Sequence, residues 1–236
     1  MLDKFFSYFY IVRQCLITIP GVEMGKYAKI PEATVRRLSN YLKCLEDLEQ
    51  KGEKVASSAL MALICNVNAA QVRKDFAYFG EFGIRGMGYS VKELRFHIRE
   101  ILGTNREWRI AVVGVGNLGS ALLMYKDFLK QSYKIVAAFD QEPVKVIGHI
   151  SEKMGRPIEI LHIDRLKEVV NARNVEIGVI TTPPSEAQRV ANLFVEANIK
   201  GIMNFAPTQI RVPPQVVLRN VFFTSALDNL VYYLSN

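Results

Sequence analysis

The chain has 236 residues and a mass of 26.7 kDa, which is enough for one or two domains. Half of the residues are hydrophobic and the mean hydropathy is +0.10, so the chain can bury a core, and disorder along its whole length is excluded. The formal net charge of +7 is compatible with a polyanionic partner but does not require one.

The cysteines and the apolar runs indicate where the protein works. Cys15, Cys44 and Cys65 are odd in number and form no CxxC pair, which disfavours a disulfide framework and a cysteine zinc site. Cys44 and Cys65 occupy apolar helical positions, where a buried, inert thiol is the usual case. Charged, proline and glycine residues interrupt every apolar run before the ~18 residues that a membrane span needs. We therefore expect a cytoplasmic protein with no membrane partner and no metal.

The first 25 residues contain an aromatic and apolar run at 5–12, which Arg13 ends. A secretory signal peptide would continue this run and follow it with small residues at a cleavage site. No such site occurs before Gly25. We interpret residues 1–25 as an extension to the first domain, with Met24 as a candidate start of the natural chain.

The next region, up to about Gly103, contains short helical patterns separated by turn signals. Apolar residues at spacings of three and four predict a helix after Pro31. Its expected buried face comprises Val35, Leu38, Leu42, Leu45 and Leu48. Ser57 can cap a second helix, and Asn68 can cap a third, over 69–79. This order of elements is a helix-turn-helix.

Closely spaced glycines follow the third helix, and a further helix is predicted over 91–102. Glycine spacing of this kind is typical of a hairpin, so the region predicts a winged helix. Arg85 lies between Gly83 and Gly86 at the expected tip of the wing, where a guanidinium can enter a minor groove.

Polar side chains on the third helix are candidates for contact with DNA. Gln71, Arg73 and Lys74 can face outward there, and a helix fits the major groove, where Arg and Lys can reach guanine edges or phosphates. The alternative is a solvated charged face. The local basic cluster comprises Arg73, Lys74, Arg85, Lys92, Arg95 and Arg99, against Asp75, Glu81 and Glu93.

The second half opens on a strand, a glycine motif and a helix. The apolar run 109–113 predicts a buried parallel strand, and the segment Gly114-Val115-Gly116-Asn117-Leu118-Gly119 follows it at once. In this fingerprint the glycines allow a tight turn, close approach of a pyrophosphate and close packing of the helix on the strand. The pyrophosphate lies on the helix N-terminus. The pattern predicts a dinucleotide site.

The next predicted strand, 134–139, ends at Asp140, roughly 20 residues after the last glycine, as the fingerprint requires. A carboxylate there can accept a hydrogen bond from a ribose hydroxyl and repels a 2′-phosphate. Gln141 and Glu142 supply no arginine, so NAD(H) is favoured over NADP(H). The alternative is a Rossmann-like domain that binds coenzyme A or no nucleotide.

Further strands predicted at 158–161, 175–181 and 201–205 alternate with helices, which indicates a doubly wound parallel sheet in an α/β protein. Ligands bind at the carboxyl ends of such strands. The residues that this rule places near the nicotinamide are Thr181, Thr182, Pro183, Asn204 and Phe205. A last helix, 224–234, has an apolar face that packs on its own sheet or, in the sharper interpretation, on a partner subunit.

Two unrelated sets of motifs resemble the Rex redox-sensing transcriptional repressors. The first set is Lys29-Ile30-Pro31, the run 69–76 and the glycine-rich stretch 78–89. The second is Gly114 to Gly119 with Ser120-Ala121-Leu122, and Gly201-Ile202-Met203-Asn204-Phe205-Ala206-Pro207. The resemblance covers about 26 to 236.

The resemblance implies a homodimer that binds a palindromic DNA operator through N-terminal winged helices. NADH would release it, with NAD⁺ competing, and the C-terminal helix would swap into the partner. The resemblance adds Ala69, Tyr78, Gly86 and Tyr89 to the expected DNA contacts. The expected organisation is an extension at 1–25, a winged-helix domain at 26–103, a Rossmann domain at 104–221 and a dimerisation helix at 222–236.

Two positions depart from the family pattern. Phe222 stands where the segment before the last helix commonly has an acidic residue, and Lys43 stands where an arginine is common. If those groups pair in the family, the pair is absent here, and redox coupling would be weaker or differently wired.

An NAD-dependent dehydrogenase is the competing class. It would need an acid or base beside the nicotinamide. His97 lies in the N-terminal half, His149 and His162 lie in ordinary contexts, and no Ser/Tyr/Lys constellation is evident. We therefore expect no catalytic residue and no enzyme.

Overall fold

The computed structural model describes residues 30–80, 83–84, 86–125, 132–143 and 159–235. The chain forms two compact units that divide between Arg106 and Glu107, slightly beyond the predicted boundary at residue 103. The predicted N-terminal extension, residues 1–25, lies outside the described residues.

The helices of the first unit confirm the helix-turn-helix. Those in the described residues are α1 (Glu32–Gln50), α2 (Ser58–Ile64), α3 (Ala69–Ala77) and α4 (Val91–Ile101). The Ser57 hydroxyl accepts a hydrogen bond from the Leu60 N–H, and the Asn68 side chain accepts one from the Gln71 N–H, at 3.0 and 2.7 Å. Both predicted caps are therefore confirmed, and they set where α2 and α3 begin.

The wing is a small antiparallel sheet. Its strands are β1 (Val55–Ala56), β2 (Gly83–Ile84) and β3 (Gly88–Ser90), in the order β1-β3-β2. The hairpin between β2 and β3 was predicted, whereas β1 was not, because two residues carry no periodic pattern. Gly88 has φ +89°, and a Cβ there would lie 2.7 Å from the Ala56 carbonyl oxygen, so this crossing requires glycine.

The buried face of α1 differs from the predicted one. Val35, predicted to be buried, is 41% exposed, whereas Thr34, Tyr41 and Cys44 are buried. A polar Thr34 cannot be recognised as a core residue from its own helix, because its hydroxyl bonds a buried carboxylate on α3, Asp75. The Phe76 and Tyr41 rings meet in a T-shaped contact between α1 and α3, with ring centroids 5.3 Å apart.

Burial also determines the reactivity of Cys44. Removal from water raises the pKa of its thiol to about 12, so almost no thiolate exists at pH 8. We expect Cys44 to resist iodoacetamide in the native protein and to react fully in urea, as measured by mass spectrometry of its peptide. Native alkylation at the rate of a free cysteine would contradict the buried placement.

The second unit is built on a six-stranded parallel sheet, which confirms the doubly wound prediction. Its strands are β4 (Trp108–Val113), β5 (Tyr133–Asp140), β6 (Ile160–His162), β7 (Ile177–Ile180), β8 (Gly201–Asn204) and β9 (Val217–Asn220). Their order is β6-β5-β4-β7-β8-β9, and every neighbouring pair is parallel. The edge strand β9 was not predicted, because Val217 is exposed and the strand shows no apolar alternation.

The helices that the structure describes fully in this unit are α5 (Asn117–Met124), α6 (Leu166–Ala172), α7 (Pro184–Glu196) and α8 (Phe223–Ser235). The chain runs from β4 to β5 on one side and later adds β7 on the other, so β4 and β7 flank the topological switch point, where ligands of such sheets bind. Helix α8 contributes no buried residue. Within the described ranges, no helix combines the length and apolarity that crossing a membrane requires.

Candidate functional site

The glycine motif forms the turn between β4 and α5. Gly114 has φ +92°, and a Cβ there would lie 2.9 Å from the Thr181 carbonyl oxygen. A Cβ on Gly119 would overlap the Gly114 carbonyl oxygen, whereas one on Gly116 would meet nothing within 4 Å. Two glycines therefore permit packing within the protein, and Gly116 leaves open space where a ligand can approach.

Hydrogen bonds hold this turn in place. The Val115 N–H donates to Oδ2 of Asp140 at 2.7 Å, which joins the turn to the end of β5. The Thr181 hydroxyl donates to the Gly114 carbonyl at 2.6 Å, and the Ser120 hydroxyl donates to the Val115 carbonyl at 3.0 Å. No side chain caps the start of α5. The first N–H groups of an α-helix, here at Asn117 and Leu118, have no partner within the helix and suit a phosphate.

A cavity of about 650 Å³ opens beside the turn. Its lining consists of Val113, Gly114, Asp140, Gln141, Glu142, Ile163, Thr182, Pro183, Glu186, Arg189 and Val190. The Thr182 hydroxyl is buried and makes no hydrogen bond within the described residues, which is the state of a group that a ligand completes. A carboxylate, an open glycine turn and an unpartnered hydroxyl together fit the ribose and pyrophosphate of a dinucleotide.

The structure also brings an arginine to this cavity, where the sequence had indicated none. Arg189 lies on α7, and its guanidinium donates to the Gln141 side chain at 2.9 Å and to the Glu186 carboxylate at 2.8 Å. Gln141 and Arg189 are 48 positions apart, so no local motif joins them. Glu186 pairs with the guanidinium, and Asp140 and Glu142 add two further carboxylates, so the cavity still disfavours a 2′-phosphate.

The amide of Asn204, a predicted cofactor contact at the end of β8, is bonded within the chain. Asn204 is fully buried, and its Nδ2 donates to the Thr208 carbonyl at 2.8 Å and to the Asn220 side chain at 2.9 Å. Its Oδ1 accepts from the Ala206 N–H, so both ends of the amide are used within the chain. Asn204 therefore fastens the segment after β8 to β9.

Phe205, in contrast, stays half-buried beside this segment. Its ring stacks on that of Phe223, the first residue of α8, with centroids 6.2 Å apart. The sequence does not indicate a role for Phe223, because only the folded chain brings the end of β8 and the start of α8 together. The two rings form an apolar surface at the carboxyl end of the sheet.

Substitution of a glycine that packs against protein and of a glycine that faces open space should have different effects on stability and on ligand binding. We expect Gly119→Ala to lower the melting temperature of the ligand-free protein and to weaken NADH binding at least tenfold, because the turn itself must move. Gly116→Ala should leave the ligand-free melting temperature unchanged and weaken only NADH binding, because its Cβ would meet no protein atom within 4 Å and would enter the space expected for the pyrophosphate. Scanning calorimetry and NADH titration measure both, and equal melting temperatures for the two variants would contradict this assignment.

On the first unit, α3 presents Arg73 and Lys74 to solvent, as predicted. One guanidinium nitrogen of Arg73 donates to the Ser58 hydroxyl at 3.1 Å, which draws this side chain toward the start of α2. Ala69 and Tyr78 are half-buried at the two ends of α3. These positions suit a helix that lies with its N-terminal residues against a major groove.

Tyr89, a predicted DNA contact in the wing, packs against α3. Tyr89 is 9% exposed, and its ring meets the edge of Phe76 with centroids 5.2 Å apart. It therefore supports the wing from inside. Gly86 is exposed in the turn of the hairpin with φ +86°. Arg85, the predicted tip residue, lies outside the described residues.

The predicted basic cluster is smaller than the sequence indicated. Arg95 and Arg99 on α4 pair with Glu49 and Glu46 on α1, at 2.8 and 3.4 Å. Their charges are balanced within the unit, and they hold α4 on α1. Asp75, counted as a surface acid, has no exposed area at all.

Asp75 is the centre of a buried polar cluster that the sequence did not reveal. The Arg37 guanidinium donates to both carboxylate oxygens at 2.6 and 2.8 Å, and the Tyr41 hydroxyl donates at 2.9 Å. Thr34 and Gln71 donate further hydrogen bonds at 3.2 and 2.8 Å. Burial alone would raise the pKa of Asp75, but hydrogen bonds from Arg37, Gln71 and Tyr41 outweigh it and leave the pKa below its ordinary value.

The cluster ties α3 to α1. The only sequence signal for it is the spacing of Arg37 and Tyr41, one helical turn apart on α1, and that spacing does not identify their partner. A charged residue with no exposed surface needs such partners, so Asp75 fixes the position of α3 in the unit.

Comparison with known proteins places both units. Residues 29–77 match the family described as putative DNA-binding protein N-terminus, and residues 105–208 match the family described as CoA binding domain. The chain is 51% identical over 210 residues to the redox-sensing transcriptional repressor Rex of Syntrophobacter fumaroxidans, covering 89% of this chain and 98% of that protein. It is 43% identical over 211 residues to Rex of Thermus thermophilus, covering 88% and 95%.

Solved structures agree with this placement. RSP, a Rex-family repressor, in complex with β-NAD⁺ and operator DNA matches with a TM-score of 0.79 at 32% identity, over 88% of this chain and 93% of that one. RSP in complex with β-NADH matches with a TM-score of 0.77 at 31% identity, over 88% and 95%.

Fold and site together define a two-unit protein that joins a winged helix-turn-helix to a Rossmann unit with a dinucleotide-type glycine turn. The chain belongs to the Rex family of redox-sensing transcriptional repressors, which confirms the resemblance. Because the family consists of repressors, this membership decides against the dehydrogenase alternative.

Proposed function

We propose that this protein is a homodimeric repressor that binds a palindromic operator and is released by NADH, while NAD⁺ competes for the same site. The single observation that carries this proposal is that one chain combines a candidate DNA-binding helix with a candidate dinucleotide-binding turn. Its α3 presents Arg73 and Lys74 outward, and its glycine turn is braced by Asp140. Such a protein acts where bacterial DNA is, in the cytoplasm.

The proposed DNA-contacting residues are those that the structure leaves at the surface of the first unit, together with the predicted wing tip. They are Ala69, Gln71, Arg73, Lys74, Tyr78, Arg85 and Gly86. The proposed cofactor-contacting residues are Gly114, Val115, Gly116, Asn117, Leu118, Gly119, Asp140, Thr181, Thr182, Pro183 and Phe205. Of these, Thr181 acts through the turn that it braces.

The preference for the reduced cofactor follows from charge. The oxidised nicotinamide ring is a cation and the reduced ring is neutral. Phe205 and Phe223 present aromatic surface at the nicotinamide end of the sheet, and an unpaired cation is costly to bring against apolar surface. NADH is therefore favoured, and equal affinities for NADH and NAD⁺ by calorimetry would contradict this explanation.

Release from DNA requires that NADH favour one arrangement of the dimer over the other. A nearly complete switch needs roughly 10⁴-fold discrimination between the two arrangements. The recognition helices of a dimer must reach successive major grooves ~34 Å apart, so a change in their spacing is enough to release DNA. We propose that NADH binding changes that spacing through α8.

The test is fluorescence anisotropy of a labelled palindromic duplex with the full-length protein, titrated with NADH and separately with NAD⁺. Release by NADH alone is the expected result, despite Phe222 and Lys43. Tight binding that neither ligand changes would mean that the redox switch is absent. No binding to any duplex would refute the repressor function.

Coenzyme A is the second candidate ligand, because residues 105–208 match the family described as CoA binding domain. The placement of Asp140 against the turn favours a free ribose hydroxyl, whereas coenzyme A carries a phosphate on its adenosine ribose. Competition decides between them. Coenzyme A at tenfold excess should not displace NADH, and displacement would overturn the NADH assignment.

A further inference from the structure

Gln71 lies in the first turn of α3, the turn that meets base edges when a recognition helix enters a major groove. Its side chain is half-buried, and its Nε2 donates to Oδ1 of Asp75, one helical turn later, at 2.8 Å. No hydrogen bond to Gln71 Oε1 occurs in the part of the chain that the structure describes. One end of the amide is therefore held and the other is open.

The orientation of this amide is dictated by its partner. An ionised carboxylate can only accept hydrogen bonds, so the NH₂ end of Gln71 must face Asp75 and its oxygen must face away. Asp75 stays ionised because Arg37 and Tyr41 also donate to it, and it cannot turn because it has no exposed area. A surface glutamine has no such constraint and can present either end.

We propose that Gln71 reads the operator as an oriented hydrogen-bond acceptor, and that Asp75 is the positioning residue that fixes this orientation. An acceptor in the major groove pairs with the amino groups of adenine N6 and cytosine N4, and it is repelled by the carbonyls of guanine O6 and thymine O4. The operator should therefore require adenine or cytosine at one position of each half-site. This inference rests on the proposed function and names how the α3 face discriminates between sequences.

The first experiment is selection from a library of duplexes with symmetric, randomised half-sites. Wild-type protein should show one position in each half-site where adenine or cytosine is preferred about tenfold. Gln71→Met, which keeps the length of the side chain and removes its polar atoms, should lose the preference at that position only. Gln50→Met, at the exposed end of α1, makes the same substitution away from α3 and should retain the wild-type profile.

A base analogue tests the hydrogen bond itself. If the position holds adenine, replacement by purine removes only the 6-amino group, and if it holds cytosine, pyrimidin-2-one removes only the 4-amino group. Each analogue should weaken wild-type binding about tenfold and leave Gln71→Met binding unchanged. An analogue that weakens both proteins equally would overturn the contact.

Asp75→Asn tests the positioning. Asparagine keeps the shape of the side chain, but it can donate as well as accept, so Gln71 can then present either end of its amide. The variant should accept guanine or thymine at that position nearly as well as adenine or cytosine. The readout is the profile and not overall affinity, because loss of a carboxylate near DNA changes affinity for every sequence.

The outcomes separate this inference from the proposed function. A wild-type profile for Gln71→Met would overturn the reading role, and a wild-type profile for Asp75→Asn would overturn the positioning role, while binding to DNA stands in both cases. Absence of all duplex binding by the wild type would instead refute the repressor function. Circular dichroism melts confirm that each variant used in the selection is folded.

Discussion

Replacement of Leu227 and Leu230 by aspartate is expected to convert the protein to monomers and to reduce operator binding to that of a single half-site. All of α8 is exposed in a single chain, and these two leucines are 60% and 54% exposed. A helix of 13 residues that buries none of its side chains is marginal in water, so α8 needs a partner surface. We propose a second copy of the chain, because the family resemblance implies that this helix swaps between subunits.

The size of the effect follows from the apolar area. Burial of one leucine contributes about 1.5–3 kcal/mol, and a two-fold interface counts each change twice. Loss of four buried leucines in the dimer therefore weakens association by more than roughly a thousandfold. Because a monomer offers one recognition helix to a palindrome, its affinity for the operator should fall to that of a single half-site.

Sedimentation velocity measures the association, and anisotropy measures operator binding. Ser225→Asp is the matched control, because Ser225 lies two positions before Leu227 and hence on the opposite side of α8. It adds a carboxylate to the same helix and removes no apolar surface. A double variant that remains dimeric would exclude α8 as the interface. A monomer with undiminished operator affinity would exclude the requirement for a dimer.

Local patterns were sufficient to predict the features that depend on neighbouring residues. The caps at Ser57 and Asn68, the turn from Gly114 to Gly119 and the position of Asp140 each follow from residues a few positions apart or from a known strand-helix spacing. These features are where the prediction and the structure agree most closely.

Features that depend on distant residues could not be predicted in this way. Asp75 resembles a surface acid on α3, and only the packing of α1 places Arg37 and Tyr41 around it. Likewise, Asn204 looks like a ligand residue at a strand end until its bond to Asn220 on the unpredicted edge strand is seen. In both cases the partner that decides the role of the residue lies on another element.

The second large effect is expected from Asp75→Ala, which should lower the free energy of unfolding of the first unit by about 3–5 kcal/mol. The reason is the partners that remain. Arg37 keeps a guanidinium that is only 25% exposed, and the buried hydroxyl of Tyr41 loses its acceptor. Removing one member of a buried pair leaves the other without compensation, which costs more than the pair contributed.

Glu32→Gln is the matched control for this variant. It breaks the ion pair with Arg36 on the same helix α1, but those side chains are 53% and 79% exposed. An exposed pair one turn apart contributes about 0–1 kcal/mol, so the control should unfold almost as the wild type does. Comparison of Asp75→Ala with Glu32→Gln separates the effect of burial on stability from the effect of losing a charge.

Two spectroscopic probes show which of the two units loses stability in Asp75→Ala. Circular dichroism follows helices of both units during urea unfolding, whereas the single tryptophan, Trp108, lies in β4 and reports the second unit. Asp75→Ala should show an early transition by circular dichroism and an unchanged midpoint by fluorescence. If the fluorescence midpoint moved equally, or if the circular dichroism curve matched that of Glu32→Gln, the cluster would not hold α3 in place.

The difference in the free energy of unfolding between the wild type and Asp75→Ala is also expected to depend on pH. Because the folded-state pKa of Asp75 lies below its ordinary value of 3.8, its stabilisation is complete above about pH 5 and is lost as the pH falls through that lower value. The gap between wild type and Asp75→Ala should therefore be constant from pH 5 to pH 7 and should narrow on further acidification. A gap that persists unchanged into acid would assign the effect to lost packing volume rather than to the ionised carboxylate.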